Sequence, residues 1–304
     1  MAVMHETDYA YAVARIRANE LSLLSGADVE QLLCAPDMAA AESILAAKGY
    51  AVSLGLDAAL SAKLSEAWQL IAESLPRRED MSPGTGDLDF LIIKNDFHNL
   101  KARLKAMFTG GAPQAHLMLP AVFADREIGE LLQARRFGEL PECMAECAQE
   151  AYDLLARTMD GQLADTVIDR QCLETILMMA KASRCEFIEG LAMKICGFAN
   201  AKIVLRAEKT GKGQVFLDRA LCACPPVDIP EEARRSAAAF EKYCDDALIE
   251  YAAPAKNEHF GIKPAAAYFL AKEAEIKTLR IVMTCKANGV PADEIRKRAR
   301  LLYV

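Results

Sequence analysis

Apolar residues recur at helical spacing in several stretches of this chain. Leu60, Leu64, Ala67, Ile71 and Leu75 follow one another at intervals of three or four residues, and Pro76 stops the run. Ile93, Phe97, Leu100, Leu104 and Phe108 repeat the spacing and are closed by Gly110, Gly111 and Pro113. A stripe of this kind is the buried face of one helix. Tyr9, Val13 and Ile16 begin a similar stripe near the start, with Arg15 and Arg17 beside it.

Punctuation residues divide the rest. Ser82-Pro83-Gly84-Thr85-Gly86 reads as a loop, and Asp87 is placed to cap the helix that follows. Pro141 suits the first position of a helix running to about Met159 and ended by Gly161. Cys224-Pro225-Pro226 and Ile229-Pro230 mark a break, Pro264 opens a long helix that Gly289 closes, and Pro291 begins a short terminal one. Gly211-Lys212-Gly213 suits a helix C-cap. Sustained strand alternation is absent, so the pattern predicts an all-α chain.

Three of the helical segments align without gaps. They are Phe97-His98-Asn99-Leu100-Lys101-Ala102-Arg103-Leu104, Phe198-Ala199-Asn200-Ala201-Lys202-Ile203-Val204-Leu205 and Ile276-Lys277-Thr278-Leu279-Arg280-Ile281-Val282-Met283. In each, a large apolar residue stands four before a basic residue, another stands three after it, and a glycine follows nine after it: Gly110, Gly211 and Gly289. The spacing between copies is too wide for a solenoid, whose repeats run roughly 20–45 residues. It predicts three similar helical-bundle subdomains, over residues 1–111, 112–212 and 213–304, with the N-terminal helices partly closing onto the others.

Composition agrees with a packed helical protein. The chain has 304 residues, 53% hydrophobic and 26% charged, which rules out wholesale disorder. Alanine and leucine, both strong helix formers, dominate. The net charge of −7 argues against nucleic-acid binding, which needs a basic field. The basic run Arg296-Lys297-Arg298 with Arg300 reads as a solvated helix face. The opening residues, Met1 to Asp8, have neither the basic nor the apolar region of a secretory signal, so the ten cysteines are expected reduced. Apolar runs are broken by charges before the ~20 residues a membrane-spanning helix needs.

The chemistry of an active site is not legible. No phosphate-binding glycine signature occurs. Cys143 with Cys147, and Cys222 with Cys224, have neither zinc-ribbon nor thioredoxin spacing, and His5, His98, His116 and His259 are scattered. The paired Glu-x-x-His arrangement of di-iron bundles is also absent.

The motif residues carry a family likeness. Asn95-Asp96-Phe97-His98-Asn99-Leu100-Lys101 resembles a signature of the C/d family of rotary ATPase components, which includes the C subunits of archaeal and bacterial A/V-type ATPases and the d subunits of eukaryotic V-ATPases. Glu275 to Val282, Lys286 to Pro291, the ending Arg300-Leu301-Leu302-Tyr303-Val304, and Tyr9 to Arg17 with Leu23-Leu24 resemble the same family. Phe97 replaces the usual tyrosine, and Gly197 stands where an aspartate is common in the second copy. The resemblance implies a funnel of three subdomains about a pseudo-threefold axis. It also implies a single-copy, non-catalytic component without cofactors or metals, monomeric in isolation and peripheral on the cytoplasmic side of a membrane. Such a component couples the central axle, built of D- and F-type subunits, to the proteolipid ring during ATP-linked proton or sodium transport. A cytosolic helical-repeat scaffold with unrelated partners is the alternative. Asp96, His98, Asn99, Lys101, Asn200, Lys202 and Arg280 are the candidate partner-contact or structural residues. Two readings stay open for them. His98 and Asn99 either hold a subdomain together or meet the axle. Lys101, Lys202 and Arg280 either form a basic collar or each satisfy a carboxylate within their own bundle.

Overall fold

The computed structural model describes residues 5–76, 84, 86–112 and 117–304. Met1, Ser82, Pro83, Thr85, Pro113 and His116, which figure in the sequence reading, lie outside them. The described residues are α-helical, with short 3-10 turns and no strand. They form two compact units: the chain up to Pro76 joined with Pro230–Val304, and the segment from Gly84 to Ile229.

The first unit contains α1 (Ala10–Glu20), α2 (Gly26–Cys34), α3 (Met38–Ala47), α4 (Leu56–Ser74), α11 (Glu231–Arg234), α12 (Ala237–Ala252), α13 (Lys263–Ala287) and α14 (Ala292–Arg298). Local chemistry sets several of its boundaries. Ser25 and Asp28 form a capping box on α2, and the Asp37 carboxylate accepts the Ala40 N–H at the start of α3. Helix α4 ends because Leu75, which precedes Pro76, is forced into an extended conformation. Its stripe is buried at Leu60, Ala67 and Ile71, as the spacing predicts. Helix α13 is the centre of the unit. It is buried on every side from Pro264 to Ala271, and α1, α2, α3, α4, α12 and α14 all pack on it. Leu279, Val282 and Met283 meet Leu32, Leu45, Leu60 and Ile295 in one core. Each such side chain contributes roughly 2 kcal/mol by leaving water. The Lys286 ammonium caps the end of α2 by donating to the carbonyls of Leu33 and Ala35.

The second unit contains α5 (Ile93–Thr109), α6 (Asp125–Gln133), α7 (Glu142–Thr158), α8 (Gly161–Ala182), α9 (Glu186–Thr210) and α10 (Gln214–Ala220). Helix α8 is its centre, with α5, α7, α9 and α10 packed on it. Two boundaries differ from the sequence reading. Asp87 caps no helix start: α5 begins at Ile93 behind a 3-10 turn, and Asp89 is the residue whose carboxylate accepts the Gly84 and Gly86 N–H groups. Helix α7 starts one residue after Pro141 and ends at Met159, which itself takes the left-handed conformation at φ 52°. Gly161 therefore does not end α7. It opens α8, because the Asp160 carboxylate accepts the Gln162 and Leu163 N–H groups and caps that helix.

Candidate functional site

The three aligned motifs occupy the C-terminal parts of the three helices α5, α9 and α13. Their glycines share one conformation: Gly110, Gly211 and Gly289 have φ of 69°, 68° and 68°. That left-handed geometry costs a residue with a side chain about 1 kcal/mol, so glycine is the economical stop. Phe97, Leu100 and Leu104 are buried in the first copy, and Ile276, Leu279 and Met283 in the third. The second copy is less closed. Phe198 is buried but Leu205 only half so, because the elements chiefly packed on α9 are α8 and the seven-residue α10.

After each glycine the chain turns back and is fastened to its motif helix at one register position. Asn99 donates from Nδ2 to the Met118 carbonyl (3.0 Å) and accepts the Met118 N–H on Oδ1 (2.7 Å). Asn200 does the same to Cys222, at 2.9 Å to the carbonyl and 3.2 Å from the N–H. An asparagine side chain carries a donor and an acceptor side by side, so one residue satisfies both polar groups of a peptide segment that is not in a helix. Thr278 holds this position in the third copy. Its hydroxyl accepts the Arg300 N–H at 3.2 Å, and Asp246 accepts the next N–H, that of Leu301, at 2.6 Å.

The residue before the leading apolar one also repeats its task, with variation. Asp96 accepts the N–H groups of Val122 and Phe123, at 2.9 and 2.8 Å. It is 5% exposed, and burial pushes its carboxyl up to about 6 although both N–H bonds favour the charged form. Gly197 occupies the place in the second copy, and a Cβ there would collide with the Val227 side chain. Glu275 occupies it in the third. It is 2% exposed and accepts from the Leu24 N–H (2.6 Å), the Lys272 ammonium (2.6 Å) and the Tyr50 hydroxyl. Asn95, one residue earlier in the first copy, donates to the Pro120 carbonyl at 2.7 Å.

The recurring cations lie further along. Lys101 pairs with Asp169 on α8 at 2.5 Å, and Arg280 with Asp57 on α4 at 3.0 Å, so each meets a carboxylate of its own unit. Lys202 and His98 are half-buried on α9 and α5. Asp96, Asn99 and Asn200 thus bind backbone, while Lys101 and Arg280 bind neighbouring helices. The sequence reading quotes Thr278, Glu275 and Asn95 within longer stretches but does not name them as candidates. The signal for Thr278 was its place in the ungapped alignment under Asn99 and Asn200; a hydroxyl in place of an amide hid it. Among the described residues no group of three or more His, Cys, Asp or Glu side chains is placed to hold a metal ion, and no helix is long and apolar enough to cross a membrane.

Comparison with known proteins gives these helices a context. The family described as "ATP synthase (C/AC39) subunit" matches residues 12–225 and 225–298, and the junction falls at the Pro225 break between the second and third copies. The C subunit of the V-type sodium ATPase of Enterococcus hirae is 24% identical over 326 aligned positions, covering 95% of this chain and 97% of that protein. With both matched segments together spanning nearly the whole chain and containing all three motif helices, the protein belongs to the ATP synthase C/AC39 family.

Proposed function

We propose that this chain is the non-catalytic central-stalk subunit of a V/A-type ATPase or ATP synthase. It seats the axle, of D- and F-type subunits, on the proteolipid ring and carries torque between them for proton or sodium transport. The observation that carries this reading is the family match along nearly the full length. The way the motif helices are fastened supports it. A part under torque must not let its connecting segments slide, and close-packed interiors transmit strain. Asn99, Asn200 and Thr278 each tie a returning segment to a helix, and Asp96 adds a second tie in the first copy. The same reading takes residues 1–111, 112–212 and 213–304 as three repeats of one plan, each a motif helix followed by a fastened return segment. It places the protein at the membrane surface on the cytoplasmic side, in one copy per complex.

Reconstitution tests the proposal. A complete complex assembled in vesicles without this chain should keep ATP hydrolysis by its catalytic head and lose ATP-driven ion transport, and adding the chain should restore transport. Transport that persists in its absence would overturn the coupling role.

A further inference from the structure

A small cavity opens in the first unit between α1 and α4, with α13 as its floor. Its volume is about 300 Å³, at the small end of ligand pockets, which run from about 300 to 1,000 Å³. Tyr268 and Lys272, one turn apart on α13, line it and are 3% and 6% exposed. The Lys272 ammonium gives one N–H to Glu275, at 2.6 Å, and Glu275 is shared with the Leu24 N–H and the Tyr50 hydroxyl. The other two ammonium protons bond to no described residue, and neither does the Tyr268 hydroxyl. Burial, with the Glu275 charge nearby, pushes that hydroxyl up to about 12, so it is a donor at neutral pH.

Packing alone does not ask for a cation at this place. In the ungapped alignment Ile93 holds the position of Lys272 in the first copy, apolar and fully buried, while Asp96, at the position of Glu275, is answered by backbone N–H groups. The rim of the cavity carries Arg15 from α1 and Lys63, Glu66 and Glu73 from α4. Lys63 pairs with Glu66 at 2.7 Å, and Arg15 loosely with Glu73 at 3.8 Å. The lining therefore sets three cations against two carboxylates, and the unmatched charge is that of Lys272. Buried donors without an acceptor are costly, and a charged oxygen is the acceptor that answers an ammonium best. We propose that this cavity binds a small oxyanion of the phosphate class. Its oxygens accept from the Lys272 ammonium and the Tyr268 hydroxyl at the floor and from the Arg15 guanidinium at the rim, and so link α1 to α13.

Isothermal titration calorimetry of the folded chain with inorganic phosphate, in chloride buffer of constant ionic strength, tests the site. The expected result is saturable binding of one phosphate per chain, together with a Tm that rises with phosphate concentration by mass action. Tyr268→Phe removes a hydroxyl that bonds to no described residue, so it should keep the wild-type Tm in chloride and weaken phosphate about tenfold. Arg15→Ala should weaken phosphate similarly, and it decides alone if Tyr268→Phe fails to fold. Lys272 is the poorer probe, because its removal strands the buried Glu275. A second titration with glycerol 3-phosphate separates two sources of the same chemistry: affinity equal to that of phosphate assigns the site to a phosphate ester such as a lipid headgroup, and exclusion assigns it to the free anion. Absence of saturable heat, with water alone answering the Lys272 and Tyr268 donors, would overturn the proposal, as would wild-type phosphate affinity in both variants.

Discussion

Asn99 and Asn200 concentrate two tasks in one side chain. Each answers both the N–H and the C=O of a single residue in an otherwise irregular segment. Truncation to alanine removes two bonds at once and leaves part-buried backbone groups without them. Asn99→Ala and Asn200→Ala are expected to lower unfolding stability by about 1–3 kcal/mol each, and Thr278→Val, which loses one bond, by about 1 kcal/mol, all read by urea denaturation. Equal, negligible losses at all three positions would remove the fastening role. Asp96 makes a prediction about pH. Its folded-state pKa is raised from 3.8 to about 6 by burial, so the folded protein keeps this proton where the unfolded chain has released it. Its contribution to stability is therefore greatest below pH 4 and falls as pH rises from 4 to 6, by up to ~3 kcal/mol at 1.36 kcal/mol per unit. Above pH 6 the contribution is flat. Comparing wild type with Asp96→Asn across pH 4–7 checks the sign: the advantage of the wild type over the variant should shrink as pH rises. An advantage that grows would show that the Val122 and Phe123 N–H groups outweigh burial.

Helices α5 and α9 end directly on their left-handed glycines and α13 ends one residue sooner, with Asn288 before Gly289; all three bury the same kind of face, but not to the same depth. Leu104 and Met283 are both 1% exposed, whereas Leu205 is half-buried. Leu104→Asp and Met283→Asp each place an unpaired charge in a closed core and are expected to cost about 3–5 kcal/mol or to prevent folding. Leu205→Asp should cost markedly less, because its carboxylate reaches water. A thermal melt of the three variants ranks them, and a Leu205→Asp variant as damaged as the others would contradict the structure of α9. These elements were largely legible in the sequence, since proline, glycine and helical spacing act within a few residues. The stops at Gly110, Gly211 and Gly289 are such cases. The misreadings came where two local signals compete. Gly161 resembles the stop of α7, yet the cap at Asp160 makes it the start of α8. Asp87 reads as the cap of the next helix, yet α5 begins only at Ile93, and it is Asp89 that holds the turn at Gly84 and Gly86. The polar ties themselves were not legible, because Asn99 and Met118 or Thr278 and Arg300 are joined by the return of the chain and by no local pattern.

Over the whole molecule, sequence repeat and compact packing describe different things. The motif recurs along the chain, whereas the helices before Pro76 pack with the segment after Pro230, a pairing of distant stretches that no local periodicity reveals. We propose that Lys101, Lys202 and Arg280, beyond the ion pairs of Lys101 and Arg280 within their own units, also bear on the assembly. The pairs of Lys101 with Asp169 and Arg280 with Asp57 are partly open to solvent, and such pairs are worth about 1 kcal/mol or less. The triple alanine variant is expected to fold and to bind the axle subunits more weakly, by pull-down. Unfolding of each single variant would instead assign all three to the interior of their units. The central claim is that this chain joins an axle, and native mass spectrometry of the chain mixed with the D- and F-type axle subunits of the same source tests it most directly. A one-to-one-to-one complex that survives moderate salt is the predicted result; a chain that remains alone, although folded and helical, would contradict it.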